Sequence, residues 1–254
     1  MRNTKLFKKT FIALSLASVF GVSANAFCDS KGTTCFIPTV GIGGIYSDFG
    51  GGSNAGVANY GGYLTADWTV TWKERILGSL GATLGGGVSN LSGVNLAALK
   101  QTNPFIISNI EAKVGFNIST KEVPIYINIF TRNDGLFNKA IMRNLGLVGV
   151  ELQAKIPVSS NVKILFGGGY SGVYGYYQFG GLDSKSSLNG YNYGIHANIG
   201  FTTKITQDYS YYLKVVGQYY NLNDSKAVTL NNQPINYPGA NSFNVMLEMG
   251  VKGI

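Results

Sequence analysis

Beyond its N-terminal stretch the chain has no apolar run near the roughly 20 residues that a membrane-crossing helix needs. A helical span is thereby excluded, so that if this protein enters a membrane, strands put it there. Charge is scarce: 13% of residues are charged, about half of what average soluble domains carry. No basic run clusters in the body of the chain, which excludes the positive stripe that nucleic acid requires. Two cysteines and one histidine are too few to assemble a metal centre, and no cofactor is expected. Proline is also rare, at 6, whereas glycine (35) and tyrosine (16) abound. What remains is the composition of an aromatic, glycine-rich β protein.

Arg2, Lys5, Lys8 and Lys9 precede the apolar stretch Phe11 to Val22, and Ala24-Asn25-Ala26 suits a small-residue cleavage site. Residues 1–26 are expected to be a secretory signal peptide and 27–254 the mature domain. Without those four bases, 16 Lys and Arg face 12 acids, a net charge of +4 that is too mild to argue for nucleic acid. In an exported chain Cys28 and Cys35 are expected to pair as a disulfide that closes a short N-terminal loop.

The clearest pattern runs from Leu145 to Tyr177. Val148, Val150, Leu152, Ala154 and Ile156 alternate with Glu151, Gln153 and Lys155; after the turn Val158 to Asn161, alternation resumes with Val162, Ile164, Phe166 and Tyr170. A period of two means strands, and the tight turn makes them an antiparallel hairpin. One face is apolar along its whole length while the other carries charge at mid-strand, which suits lipid outside and a polar lumen inside.

The same reading along the chain predicts strands over Phe36 to Tyr46, Tyr60 to Trp72, Ile76 to Gly87, Phe105 to Ser119, Val123 to Phe130, Tyr191 to Thr203, Tyr209 to Tyr220 and Phe243 to Val251. Together with the hairpin they make ten, with eight as the alternative. Connections alternate between long, at Ser47, Val88, Arg132, Gly180 and Asn221, and short, at Lys73, Thr120, Val158 and Thr206. Leu91, Val94, Leu96 and Leu99 fall at helical spacing inside one long loop. The fold class is therefore all-β, a closed antiparallel up-and-down transmembrane β-barrel with short turns at one end and long loops at the other. A soluble sandwich would show shorter strands and no such rhythm. Tyr46, Tyr60, Tyr170, Tyr174, Tyr193 and Tyr219 mark one interfacial girdle; Phe36, Trp68, Trp72, Phe116, Phe201, Tyr209 and Tyr211 mark the other.

Seven inward positions could carry chemistry: Asp67, Glu111, Lys113, Glu151, His196, Lys214 and Glu248. Most lie at comparable depth, so acids and bases are expected to pair across a narrow interior, with Lys214 beside Glu248. An ion network that fills the lumen is the first reading of them, and a gated narrow channel the second. His196 needs a nucleophile and an orienting group to be catalytic. Outer-membrane barrel lipid hydrolases carry a Ser two residues after the His, where this chain has Asn198; barrel proteases carry an Asp two residues before, where it has Gly194. Gly167 to Gly172 spells a dinucleotide fingerprint, but no helix follows it, and the glycines are expected to permit bending and close strand approach. Leu136, Phe137, Ala140, Ile141 and Met142 beside Lys139 and Arg143 could form an amphipathic turn at the surface.

With that architecture the mature chain resembles the bacterial small outer-membrane β-barrel superfamily, which includes porin-like channels, adhesins and structural barrels. The chain departs from it in ending Met249-Gly-Val-Lys-Gly-Ile254, where such barrels usually carry an aromatic residue. The resemblance implies a location in the outer membrane of a Gram-negative envelope and outer-membrane lipid as a partner. The expected role is non-enzymatic, displaying loops 132–144 and 221–240 to host or cell-surface ligands. A narrow porin-like channel is the alternative and a lipid-modifying enzyme the third.

Overall fold

A computed structural model describes residues 26–50, 56–92, 102–139, 141–179, 185–230, 233–237 and 239–253. The expected signal peptide, apart from Ala26, and the helical spacing through Val94, Leu96 and Leu99 lie outside them. Ten long strands carry the fold: β1 Thr34–Gly50, β2 Gly56–Trp72, β3 Ile76–Ser92, β4 Thr102–Asn117, β5 Ile125–Asn138, β6 Ile141–Pro157, β7 Val162–Phe179, β8 Asn192–Lys204, β9 Tyr209–Leu222 and β10 Ala240–Gly253. Each pairs antiparallel with the next, and β10 closes on β1 from Asn241↔Gly50 to Lys252↔Thr39. The barrel is closed and up-and-down with ten strands, which excludes the eight-stranded alternative.

The predicted faces hold. Leu64, Leu84, Ile110, Ile129, Val150, Ile199 and Leu247 point outward and are exposed, while Asn128, Glu151, His196 and Glu248 point inward and are buried. An apolar belt of this extent is unstable in water and matches hydrocarbon. Closure leaves no unpaired edge among the ten barrel strands; the amides of such an edge would cost several kcal/mol each in lipid, roughly. Among the described residues no helix is long and apolar enough to cross a membrane. Aromatic contacts ring one end of the belt: Tyr170 stacks on Tyr193 at 5.7 Å, Tyr193 meets Tyr219 at 6.4 Å, and Tyr46 bridges Phe243 at 5.6 Å and Tyr60 at 5.0 Å.

Three expected loops are strand over much of their described residues. β1 and β2 stay paired to Gly50↔Gly56, so Ser47 to Val57 is mostly ladder rather than loop. β3 runs on to Ser92 instead of ending at Gly87. Arg132 to Asn144 is not a surface loop: β5 continues to Asn138 and β6 begins at Ile141, paired through Phe137↔Met142. The polar Asn, Ser, Asp and Gly residues of these segments read as turn formers, yet their alternate neighbours Phe49, Val57, Leu91, Leu136 and Ile141 are buried inside the barrel. Tertiary burial outweighs local turn propensity there. The second expected loop, 221–240, shrinks to 223–239 because Asn221 and Leu222 end β9 and Ala240 opens β10.

The opposite end is built from short turns. Lys73 and Glu74 adopt left-handed φ angles of 50° and 54°, as tight hairpin turns demand. Buried Asn117 ties that turn to the next: its Nδ2 donates to the carbonyls of Glu74 and Thr120, and its Oδ1 accepts from the amides of Ser119 and Ile125. At this end Phe27–Cys28 pairs with the start of β1, and Cys28 is bonded to its register partner Cys35 in the expected disulfide.

Candidate functional site

The alternation of β4 aims Glu111 and Lys113 inward, and the register places Arg132 directly beside Glu111. Arg132 Nε donates to Glu111 Oε2 at 2.7 Å, Lys113 Nζ lies 2.8 Å from Glu111 Oε1, and the same ammonium lies 2.9 Å from Glu151 Oε1. Glu151 also accepts from Asn128 Nδ2 at 2.9 Å and stands 2.9 Å from His196 Nε2. A chain of contacts, Arg132–Glu111–Lys113–Glu151–His196, thus runs along the lumen wall from β4 to β8. His196 further packs edge-on against Phe130, with centroids 5.2 Å apart.

The middle strand makes this reach possible. Gly169 of β7 pairs with both Glu151 and His196. A Cβ at Gly169 would come within 2.6 Å of His196 Cε1 and 2.7 Å of Glu151 Cβ. The glycine therefore clears the space over which acid and imidazole meet.

Lys214 and Glu248 pair as expected, at 2.9 Å. They form a separate cluster: Glu248 also accepts from Tyr212 at 2.7 Å and from Tyr63 at 3.2 Å, with Gly43 in register between Glu248 and Tyr63. Asp67 departs from the expected network. It accepts from Thr69 at 2.7 Å and has no ion pair among the described contacts. Two strands separate it from Arg132, and Glu111 occupies that cation. Both clusters, with Asp67, Lys155 and Lys252, line one cavity of about 270 Å³.

Towards the long-loop end the polar lumen expected gives way to apolar side chains. Phe130, Leu145, Leu147, Val173 and Tyr220 form one inward cluster. Phe49, Leu136, Ile141, Tyr177 and Tyr237 form another. Tyr237, from the segment between β9 and β10, stacks flat on Tyr177 at 4.3 Å and donates to the Phe49 carbonyl at 3.3 Å. Burial pushes the Tyr237 hydroxyl above its ordinary range, so it stays a neutral donor. The loops above are knitted together: Ser186 Oγ and Ser225 Oγ are 2.7 Å apart, Leu188 bridges Ser225, and Lys226 N donates to the Ser187 carbonyl. Among the described residues an aromatic stopper therefore narrows the outer end.

Sequence reasoning missed Arg132, Asp134 and Arg143 because it assigned them to a loop, and missed Tyr63 and Tyr212 because it treated aromatics as girdle or core. The available signal was the unbroken alternation of Phe130, Arg132, Asp134 and Leu136. Chemically the interior offers buried ion pairs and hydrogen bonds, with Glu151 orienting His196. No group of three His, Cys, Asp or Glu among the described residues is placed to hold a metal ion.

No known family profile and no curated protein matches the chain. Solved structures do: the outer membrane protease OmpT from Escherichia coli is 6% identical, with a TM-score of 0.59 over 86% of this chain and 96% of that one. The fold is that of a bacterial outer-membrane β-barrel. Looser superpositions relate this barrel to the translocator domain of autotransporter NalP from Neisseria meningitidis (9% identity, TM-score 0.46, 99% of this chain and 97% of that) and to Neisserial surface protein A (12%, 0.42, 86% and 96%). At 6% identity the superposition on the protease establishes a shared fold and nothing finer.

Proposed function

We propose that this protein is a non-enzymatic integral barrel of a Gram-negative outer membrane. It is delivered by a cleaved signal peptide, is closed to solutes at rest, and presents the platform formed by 185–191, 223–230 and 233–237 to partners at the cell surface. The observation that carries this reading is the double narrowing of the lumen. The side chains linked from Arg132 to His196 project into it at mid-height, and the stack of Tyr237 on Tyr177 narrows the outer end. The hydrogen bonds between the two loops support a shaped contact surface rather than loose tails.

The test is single-channel conductance of the refolded full chain, wild type beside Glu111→Ala, Lys113→Ala and Lys214→Ala. A closed wild type with openings only in the variants supports the closed scaffold. Steady wild-type conductance that shifts in the variants replaces it with the second reading, a narrow channel, which the charged cavity of about 270 Å³ favours.

A further inference from the structure

Arg143 is a buried cation without a counter-charge. It is 6% exposed, it lines the lumen cavity, and its Nε and Nη1 have no hydrogen-bond acceptor. No ion pair reaches it among the described contacts. Its closest acid in the electrostatic environment, Asp134, is occupied by Asn109 Nδ2 and by the Tyr220 hydroxyl, the latter at 2.7 Å. The Phe49 ring lies over the guanidinium at 3.5 Å, which offsets part of the charge but offers no acceptor to the N–H groups. On the adjoining strand its register partner is Tyr177, whose buried hydroxyl is also unpartnered. Two neighbouring residues thus carry unsatisfied donors on an apolar wall. Buried donors left in that state are rare and need a partner.

We propose that Arg143, with the Tyr177 hydroxyl beside it on the adjoining strand, forms the anion-docking end of a lumenal site for a small organic monocarboxylate with an aryl or alkyl body. A single guanidinium with Asp134 nearby suits a monoanion, since a dianion would leave one charge uncompensated beside that acid. The body would lie against Ile107 and Leu136, which line the same cavity. Entry is from the short-turn end, because one continuous cavity runs from Lys155 and Lys252 there past the charged side chains to Arg143, while the Tyr237–Tyr177 stack narrows the other mouth. This site goes beyond the closed-scaffold reading, and binding in detergent micelles is read independently of conductance.

The experiment measures thermal unfolding of the full-length refolded barrel against increasing benzoate, benzyl alcohol and inorganic phosphate. Benzoate is expected to raise the wild-type melting temperature by a few degrees in a saturable way, with no rise in Arg143→Met and a weaker one in Tyr177→Phe. Without ligand, Arg143→Met is expected to melt at or above wild type, because it removes an uncompensated charge. Should that variant fail to fold, Arg143→Lys carries the test, with affinity about tenfold weaker, the cost of losing one planar charge-assisted hydrogen bond. An equal response to benzyl alcohol would make the site merely apolar, and an equal response to phosphate would make it a site for any inorganic anion. Either result, or no response to benzoate, overturns the proposal.

Discussion

Glu151 and His196 hydrogen-bond at 2.9 Å although they stand on strands that do not touch. The strand between them carries Gly169 in register with both, so the pair closes over a gap in the wall of side chains. Glu248 and Tyr63 meet over Gly43 in the same manner. Glycine in this barrel therefore sets which lumenal groups can pair.

Gly169→Ala should break the Glu151–His196 contact. Its Cβ would fall 2.5 Å from the Val150 carbonyl oxygen, a backbone atom that cannot step aside, and overpacking of that kind costs about 1–3 kcal/mol. Gly168→Ala is the control: its Cβ meets nothing nearer than the His196 carbonyl oxygen at 3.5 Å, and stability should hold. Urea midpoints of the refolded barrels, compared side by side, check both.

Removal of Glu151 should cost more than removal of any of its partners, because Lys113, His196 and Asn128 all lean on it. Breaking a buried pair from one side costs about 3–5 kcal/mol, the range expected for Glu151→Ala. Lys113→Met combined with Glu151→Gln should cost less than the sum of the two single changes. A double-mutant cycle in urea measures the difference, and strict additivity would show that the two groups do not interact.

Tyr237→Ala should unseat the outer stopper. It deletes both the stack on Tyr177 and the bond to the Phe49 carbonyl, whereas Tyr237→Phe keeps the stack. Conductance bursts are expected from the first variant and silence from the second. Silence from both would move closure entirely to the charge chain below.

Asn117→Ala should weaken the short-turn end, where four hydrogen bonds converge on one side chain. The groups left unpaired cost about 1–3 kcal/mol. Asn117→Asp keeps the two accepted bonds and loses the donated ones, so its urea midpoint should fall between those of wild type and the alanine variant.

Much of this was legible in order of residues alone. A period of two assigned faces correctly for Ile110 and Glu111, for Val150 and Glu151, and for Leu247 and Glu248, since a strand offers only two directions. The Lys214–Glu248 pair followed from alternation and from matching depth on adjacent strands, although a long connection joins those strands. The disulfide between Cys28 and Cys35 followed from export and proximity. Arg132, Asp134 and Arg143 did not follow, because Asn, Asp and Gly around them are local turn signals and only their neighbours in space show that the ladder continues.

The sequence by itself determined the ten strands, the outward apolar face and the inward titratable groups, because side-chain direction in a strand is a local property of the backbone. Only the tertiary structure decided which groups meet. Contacts such as Glu151 with His196, Tyr237 with Tyr177, and Arg143 with Phe49 depend on curvature, on glycine gaps in the intervening strand and on a loop folding back into the mouth. Those are set by the closure of the whole sheet, which no single segment encodes.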